Sequence, residues 1–365
     1  MKGLRVVVAG GGTGGHLFPG IAVARELLRR QPDATVTFAG TARGIETRVI
    51  PREGFELDLL RSVGLRGRSP VALARALLLL PMSGVDAWRI LSQRSPDVVI
   101  GVGGYSSGPV VLAAAIRRIP TLLLEQNAIP GLTNRLLAHV VDAAAVTFEE
   151  TVSFFGRRGF VTGNPIRAEF LEGESLLDPV AAGRVGAPGI LIFGGSQGSH
   201  AINMAMVEAA PRLAAYPGRL AITHQTGERD LERVRDDYRR AGLTARVEPF
   251  LFAMDREVKA ADLVVSRAGA TTIAELTAAG KPALLIPLPT AADDHQRKNA
   301  EVLARAGAAE VIEESTLTGS SLAARIIALA EDAPRRSSMA RAARALAKPD
   351  AARAIVDKVL ELARP

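Results

Sequence analysis

The chain has 365 residues, 48% of them hydrophobic and 4% aromatic, with no cysteine and a formal charge of +7. That length supports two domains with sizeable cores, and a charged fraction of 23% is ordinary for a folded chain. The absence of thiols excludes disulfides, iron–sulfur clusters, zinc–thiolate sites and cysteine nucleophiles, and the scarcity of aromatics argues against a base-stacking platform for single-stranded nucleic acid.

From the N-terminus, Met1-Lys2-Gly3-Leu4 runs straight into an apolar strand, without the apolar run of a signal peptide. No apolar stretch reaches the roughly 18 residues that span a bilayer. The run from Ala76 to Met82 is short and contains Pro81. A cytoplasmic protein that can still touch a membrane is expected. The positive charge, carried mostly by Arg, reads either as coding bias or as attraction to an anionic partner.

Strands are predicted at Leu4–Ala9, Thr35–Ala39, Asp97–Val102, Thr121–Glu125 and Ala143–Thr147. A second set follows at Gly189–Phe193, Leu220–His224, Arg246–Pro249, Asp262–Ser266, Pro282–Pro287 and Ala309–Ile312. Each is continuously apolar, as expected for parallel strands buried on both faces. Ala/Leu/Arg segments of helical period separate them, so the fold class is α/β, with doubly wound parallel sheets. The pattern starts twice. Val6–Ala9 enters Gly10-Gly11-Gly12-Thr13-Gly14-Gly15-His16, and Ile190–Phe193 enters Gly194-Gly195-Ser196-Gln197-Gly198-Ser199-His200. Two Rossmann-like domains follow from this, residues 1–163 and 164–345, divided near Thr162-Gly163-Asn164-Pro165. The last segment is helical, and a packing of residues 346–365 back onto the first domain stays open.

Glycine loops between a buried strand and a helix present backbone N–H groups and a positive dipole end to phosphate. A third such loop is Gly101-Val102-Gly103-Gly104-Tyr105-Ser106-Ser107-Gly108-Pro109. Three of them suggest two phosphorylated ligands, or pyrophosphate on each side of a cleft. No acidic residue closes the second strand, which lowers a dehydrogenase reading, and no Gly-Lys-Ser/Thr marks a P-loop. His16, at a helix N-terminus, is kept neutral by the dipole, as a general base should be; plain capping is the alternative. Glu125-Gln126-Asn127 ends a strand and clusters with Asn134 around Pro130-Gly131. Glu275, in the first turns of a helix after Ser266, could accept from two ribose hydroxyls, or simply favour the helix dipole. Gln296 and Asn299 share one helical face and suit sugar hydroxyls, or plain surface polarity. No Asp-x-Asp or metal-spaced cluster is present, so no metal and no cofactor is expected. Helix N-termini and Arg167 would then stabilise a leaving diphosphate.

Taken together, Gly11-Gly12-Thr13-Gly14-Gly15-His16, Gly103-Gly104-Tyr105, Glu125-Gln126-Asn127 through Asn134, Thr162-Gly163-Asn164-Pro165 with Arg167, Gly194-Gly195-Ser196-Gln197-Gly198, Arg267-Ala268-Gly269-Ala270 with Glu275, and His295-Gln296 with Asn299 resemble the MurG family of glycosyltransferase family 28. The resemblance covers essentially the whole chain. It implies a GT-B fold, with two Rossmann-like domains facing across a cleft. It also implies inverting transfer of N-acetylglucosamine (GlcNAc) from UDP-GlcNAc to the C4 hydroxyl of lipid-linked N-acetylmuramyl-pentapeptide (lipid I to lipid II). By the same analogy Glu275 takes the ribose, Arg167 lies near the nucleotide, Ser196 and Gln197 meet the diphosphate, and Phe250 to Met254 line the uracil. Asn127, Gln296 and Asn299 face the sugar. Thr13, Gly14 and Gly15 contact UDP-GlcNAc, and the first two glycine loops, with Thr13, His16, Gly104, Tyr105 and Asn134, form the acceptor side that would hold the lipid I pyrophosphate. The catalytic candidates are His16 and Glu125. Where the family usually has a histidine before Glu-Gln-Asn, this chain has Leu124.

The lipid acceptor implies a peripheral protein on the cytoplasmic face of the cell membrane, with a cell-wall synthesis complex as a partner and no nucleic acid. Leu73, Leu77, Leu78, Leu80, Met82, Val85, Trp88 and Leu91, rimmed by Arg61, Arg66, Arg68, Arg75 and Arg89, supply a contact for anionic lipid. A buried helix pair is the alternative for that stretch. Rival functions are another GT-B glycolipid transferase, a UDP-GlcNAc 2-epimerase, and a nucleotide-sugar-binding subunit without activity of its own.

Overall fold

The computed structural model describes residues 3–42, 44–62, 70–171 and 187–364, with the helical backbone alone for 70–80. It resolves into two compact units, Met1–Arg167 with Lys348–Pro365, and Ala168–Ala347.

The first unit runs β1 (Arg5–Ala9), α1 (Gly14–Arg30), β2 (Thr35–Gly40), α2 (Glu46–Arg52), β3 (Glu56–Leu59) and α3 (Pro70–Arg94). It continues with β4 (Val98–Gly101), α4 (Ser107–Ile116), β5 (Thr121–Glu125), α5 (Leu132–Leu137), β6 (Ala143–Val146) and β7 (Gly159–Val161). These strands form one sheet in the order β3-β2-β1-β4-β5-β6-β7, parallel throughout. Two strands go beyond the apolar runs of the sequence, β3 and β7, and both are edges. β3 reads Glu-Leu-Asp-Leu and is half exposed, because an edge strand has one sheet neighbour and tolerates polar side chains.

Alternation along the central strands sorts their side chains into two cores. Val6, Val8, Ile100, Leu122 and Leu124 face α1 on one side, whereas Val7, Val99 and Leu123 face α3 and α4 on the other.

The second unit contains β8 (Gly189–Phe193), α6 (His200–Ala214), β9 (Ala221–Gln225), α7 (Leu231–Arg240), β10 (Ala245–Glu248), α8 (Met254–Ala260) and β11 (Leu263–Ser266). It is completed by α9 (Ala270–Ala278), β12 (Ala283–Leu285), α10 (His295–Arg305), β13 (Ala309–Val311), α11 (Gly319–Glu331) and α12 (Ala333–Leu346). Its strand order is β10-β9-β8-β11-β12-β13, again parallel. A last helix, α13 (Ala351–Leu362), belongs to the first unit and lies on α1, burying Ile355, Val356 and Val359 in the α1 core. At about 1.5–3 kcal/mol per buried aliphatic side chain, those three residues anchor the chain end firmly.

In both units the strand order reverses beside the first strand, between β1 and β4 and between β8 and β11. Loops leaving neighbouring strands diverge there, to opposite faces of the sheet, and open a crevice at the carboxyl ends. The glycine loops lie at these two points.

Candidate active site

At the first switch point the loops after β1 and β4 touch through backbone. Gly104 has φ +80°, and a Cβ there would stand 2.6 Å from the Gly11 carbonyl oxygen, so a side chain would separate the loops. Behind them lies a carboxylate. Glu46, fully buried at the start of α2, accepts from Thr41 N and Oγ1 through Oε1 (2.9 Å each) and from Gly12 N through Oε2 (2.9 Å). The Gly12 amide, read from sequence as part of an anion-ready loop, is thus already satisfied by the protein. Thr13 and Gly14 carry the first N–H groups of α1, which have no intrahelical acceptor. Thr13 is the N-cap but makes no side-chain cap bond, and it stands exposed with Gly15.

His16 follows in the first turn of α1, with Nδ1 3.1 Å from Gln126 Oε1. Gln126 is buried after β5 and donates Nε2 to the Val102 carbonyl at 3.0 Å. Gly103, φ +91°, leaves the space that the imidazole fills. Tyr105, beside Gly12, is held through its carbonyl by Ser62 Oγ at 3.1 Å. Arg167 stacks over the Phe18 ring at 5.8 Å, in the first unit.

Glu125 is buried at the end of β5. Its Oε1 accepts from Asn127 N (3.0 Å) and Nδ2 (3.4 Å), and its Oε2 from Gly131 N (3.0 Å) and Asn134 Nδ2 (2.9 Å). Burial pushes this carboxyl above its ordinary range, opposed by the hydrogen bonds from Asn127, Asn134 and Gly131.

The second switch point holds a cavity of about 520 Å³, lined by the glycine loop after β8 (Gly194, Gly195, Gly198), Ser199 and His200, and by Arg267, Gly269, Thr272, Leu288, Gln296 and Glu314. Gly198, φ +72°, lies against the Thr226 carbonyl, and Gln225 Nε2 donates to Gly195 O at 2.8 Å, which fixes the loop. Ser196 and Gln197 are exposed on its tip. Gln296 Oε1 accepts from Leu288 N (3.0 Å) and Ala268 N (3.3 Å), leaving its amide NH2 as the polar group for a ligand. Asn299, one turn on, donates to Ala268 O at 3.2 Å. Asp293 and Asp294, just before α10, both take left-handed φ (53° and 56°), a conformation costly for non-glycine residues and concentrated at functional sites. Glu275 is buried in α9 and off the cavity wall. Phe250 and Phe252 form an edge-to-face pair 5.0 Å apart, with Phe252 91% exposed.

Comparison with known proteins then decides the family. Residues 6–146 match the glycosyltransferase family 28 N-terminal domain, and residues 189–355 match the family 28 C-terminal domain. The UDP-N-acetylglucosamine--N-acetylmuramyl-(pentapeptide) pyrophosphoryl-undecaprenol N-acetylglucosamine transferase of Anaeromyxobacter dehalogenans (strain 2CP-C) is 52% identical over 99% of this chain and 94% of its own length. The protein of that name from Geobacter sulfurreducens is 47% identical over 99% of both. The crystal structure of Acinetobacter baumannii MurG matches with a TM-score of 0.80 and 32% identity, over 98% of this chain and 99% of that one.

The chain belongs to glycosyltransferase family 28.

Its two parallel-sheet units are those of the GT-B fold. A UDP-N-acetylglucosamine 2-epimerase with a TM-score of 0.69 and 15% identity shares that fold alone.

Within this family 28 chain several of the predicted residues are already engaged by the protein itself. Both Glu125 oxygens accept hydrogen bonds and the side chain has almost no accessible surface, so it orders residues 126–134. Asn134 is buried and donates to Leu124 O (3.0 Å) and Glu125, which supports the loop, while its Oδ1 is buried without a hydrogen-bond partner. Asn299 is fully buried and holds the loop after β11 through Ala268 O. Leu124 lies in the apolar α1 core, so no base operates from that position here.

Four further residues had no assigned role from sequence. Glu46 gave no signal, being far from the loop it serves. Arg267 donates to Ile286 O (3.1 Å) and Pro287 O (3.2 Å) and pairs with Glu314. Ser199 and His200 stand after the second glycine loop much as Gly15 and His16 stand after the first, and that parallel was the available signal.

Proposed function

We propose that the chain transfers GlcNAc from UDP-GlcNAc to the C4 hydroxyl of a lipid-linked N-acetylmuramyl-pentapeptide, with inversion. The observation that carries this is the match of both halves to family 28, with relatives of that stated activity aligned over nearly the full length. In the single displacement the acceptor oxygen bonds to the anomeric carbon, the bond to the UDP oxygen breaks, and a base takes the hydroxyl proton. His16 is the base and the second unit's cavity takes the donor. The fixed glycine loop and the α6 N-terminus receive the diphosphate. Gln296 offers its amide to the sugar, and Ser196, Gln197, Phe250 and Glu275 supply further donor contacts. Gly104 and Tyr105 belong to the acceptor side. Turnover in the presence of EDTA is the expected result.

The protein works at the cytoplasmic face of the membrane as a peripheral enzyme. No helix among the described residues is long and apolar enough to cross a bilayer. On α3, Met82, Val85 and Trp88 are exposed, with the Arg117 guanidinium 5.0 Å from the Trp88 ring centre. Ile116 beside it is exposed too. Leu91, counted from sequence with this patch, is instead buried in the sheet core, and Arg61 is engaged with Asp86 at 2.7 Å. The side chains of Leu73, Leu77, Leu78, Leu80 and Arg75, and the residues Arg66 and Arg68, lie outside the described residues. The apolar group with its arginines suits an anionic lipid surface.

The test is incubation with labelled UDP-GlcNAc and a short-chain lipid I analogue. The expected product carries one β-1,4-linked GlcNAc, with UDP released in equal amount. Formation of UDP-N-acetylmannosamine without acceptor would make it an epimerase instead.

A further inference from the structure

A carboxylate, Glu314, stands on the wall of the second unit's cavity, in the loop after β13. Its Oε2 is buried against the Arg267 guanidinium in an ion pair, while the side chain as a whole is 26% exposed. Among the described residues no donor meets Oε1, so that oxygen is the accessible end of the carboxylate. Arg267 is itself fixed. Its side chain is 11% exposed, and Nη1 donates to the Ile286 and Pro287 carbonyls at 3.1 and 3.2 Å, which leaves Nη2 for Glu314. A planar guanidinium held in this way dictates where its carboxylate stands.

Along the sheet the wall runs from the glycine loop after β8, through Arg267 and Gly269 after β11 and Leu288 after β12, to Glu314 after the edge strand β13. Three strand spacings of about 4.8 Å separate its ends, room for a diphosphate and a hexose laid end to end. The two ends differ in chemistry. The glycine loop and α6 present N–H groups, which suit phosphate. The far end presents an acceptor, Glu314 Oε1, and the NH2 group of Gln296, whose own Oε1 is taken by Leu288 N and Ala268 N. A carboxylate repels phosphate but accepts from hydroxyls. An acceptor and an amide donor on one wall match the hydroxyls of a sugar, each of which can both give and take a hydrogen bond. Arg267 offsets the charge of Glu314, so the wall does not repel an anionic donor as a whole.

We propose that Glu314 is a specificity-determining residue for the transferred sugar: its Oε1 accepts from a hydroxyl of the GlcNAc moiety, and Arg267 is the positioning residue that holds it there. The proposal rests on the reading that the donor lies in this cavity with its diphosphate at the glycine loop. A sugar whose hydroxyl pointed elsewhere would cover Oε1 and leave it unpaired. That penalty, more than the strength of the bond itself, is what discriminates between donors.

The test is calorimetric titration of the whole protein, without acceptor, by UDP-GlcNAc and separately by UDP. The ratio of the two affinities isolates the part that the sugar contributes. Glu314→Ala should lower this ratio about tenfold, and Glu314→Gln, which keeps a neutral acceptor oxygen, about threefold. UDP should bind both variants as it binds the wild type. Arg267→Lys keeps the charge and loses the fork, so it should lower the ratio in the wild type and leave it unchanged in a Glu314→Ala background. Of the donors that lack the 3-, 4- or 6-hydroxyl of the sugar, one should bind the wild type and Glu314→Ala alike. An unaltered ratio in Glu314→Ala, including an equal loss of UDP and UDP-GlcNAc affinity, would overturn the proposal. So would a loss on substitution as large for every deoxy donor as for UDP-GlcNAc. Failure of the wild type to bind either UDP-GlcNAc or UDP would instead overturn the donor assignment beneath it.

Discussion

His16 Nδ1 lies 3.1 Å from Gln126 Oε1, and the Gln126 amide nitrogen is committed to the Val102 carbonyl at 3.0 Å. The amide can therefore offer His16 only an acceptor. The proton sits on Nδ1, and Nε2 carries the lone pair that a general base needs. His16→Ala should lower kcat by about 10²–10⁴. Gln126→Leu should lower it less, because the imidazole stays while its tautomer is no longer dictated. Steady-state kinetics with a lipid I analogue check both; a rise in the donor KM with kcat intact would remove His16 from proton transfer.

Glu46 joins two loops that are far apart in sequence, accepting from Gly12 N and from Thr41 N and Oγ1. Glu46→Gln keeps one acceptor oxygen and turns an NH2 group against another N–H donor. One buried donor is then unmet, which costs about 1–3 kcal/mol. The midpoint of urea unfolding should fall accordingly, and the acceptor KM should rise because Thr13 and His16 follow directly on Gly12. An unchanged midpoint would show that the loop orders itself without the carboxylate.

These two sites show where sequence reading reaches and where it stops. His16 was legible because the strand, the glycine loop and the helix start are consecutive, and their physics is local. The parallel sheets were legible for the same reason: Val6–Ala9 and Ile190–Phe193 are continuous apolar runs, which only strands buried on both faces require. β3 was missed because an edge strand such as Glu-Leu-Asp-Leu lacks that signature. Glu125, Asn134 and Asn299 have the residue types of a ligand site, yet Glu125 accepts from its own loop and the amides of Asn134 and Asn299 donate to backbone carbonyls. A buried polar side chain that positions a loop and one that binds a sugar look alike until partners are known. Glu46 belongs to the same class, because the glycine loop it orders through Gly12 N lies 34 residues away.

His224 makes the second unit sensitive to acid. It is fully buried, and desolvation lowers its pKa from 6.5 to about 3, against the raising effect of Asp230. The unfolded chain binds a proton near pH 6.5 that the folded chain refuses, so stability declines as pH falls from about 6.5 towards 3, by about 1.4 kcal/mol per unit. Above pH 6.5 the group is neutral in both states and contributes no slope. Urea unfolding followed at several pH values should show this decline. His224→Gln should be less stable at neutral pH and lose about one proton's worth of slope below 6.5; an unaltered slope would place the acid sensitivity elsewhere.

Trp88 stands 49% exposed on α3 with Val85 at 64%, and Arg117 covers one face of the indole. Burying both side chains in the acyl boundary would recover about 1.5–3 kcal/mol each, and arginines nearby add about 1 kcal/mol apiece against anionic lipid. Wild-type protein should therefore float with vesicles containing phosphatidylglycerol and detach as salt rises, because the electrostatic part is screened. Trp88→Ser with Val85→Ser should reduce the bound fraction by at least tenfold while turnover of a short-chain, water-soluble acceptor stays within twofold of wild type. Equal flotation of the double variant would mean that α3 is not the lipid-facing surface. Salt-insensitive flotation would mean that the arginine rim contributes nothing to it.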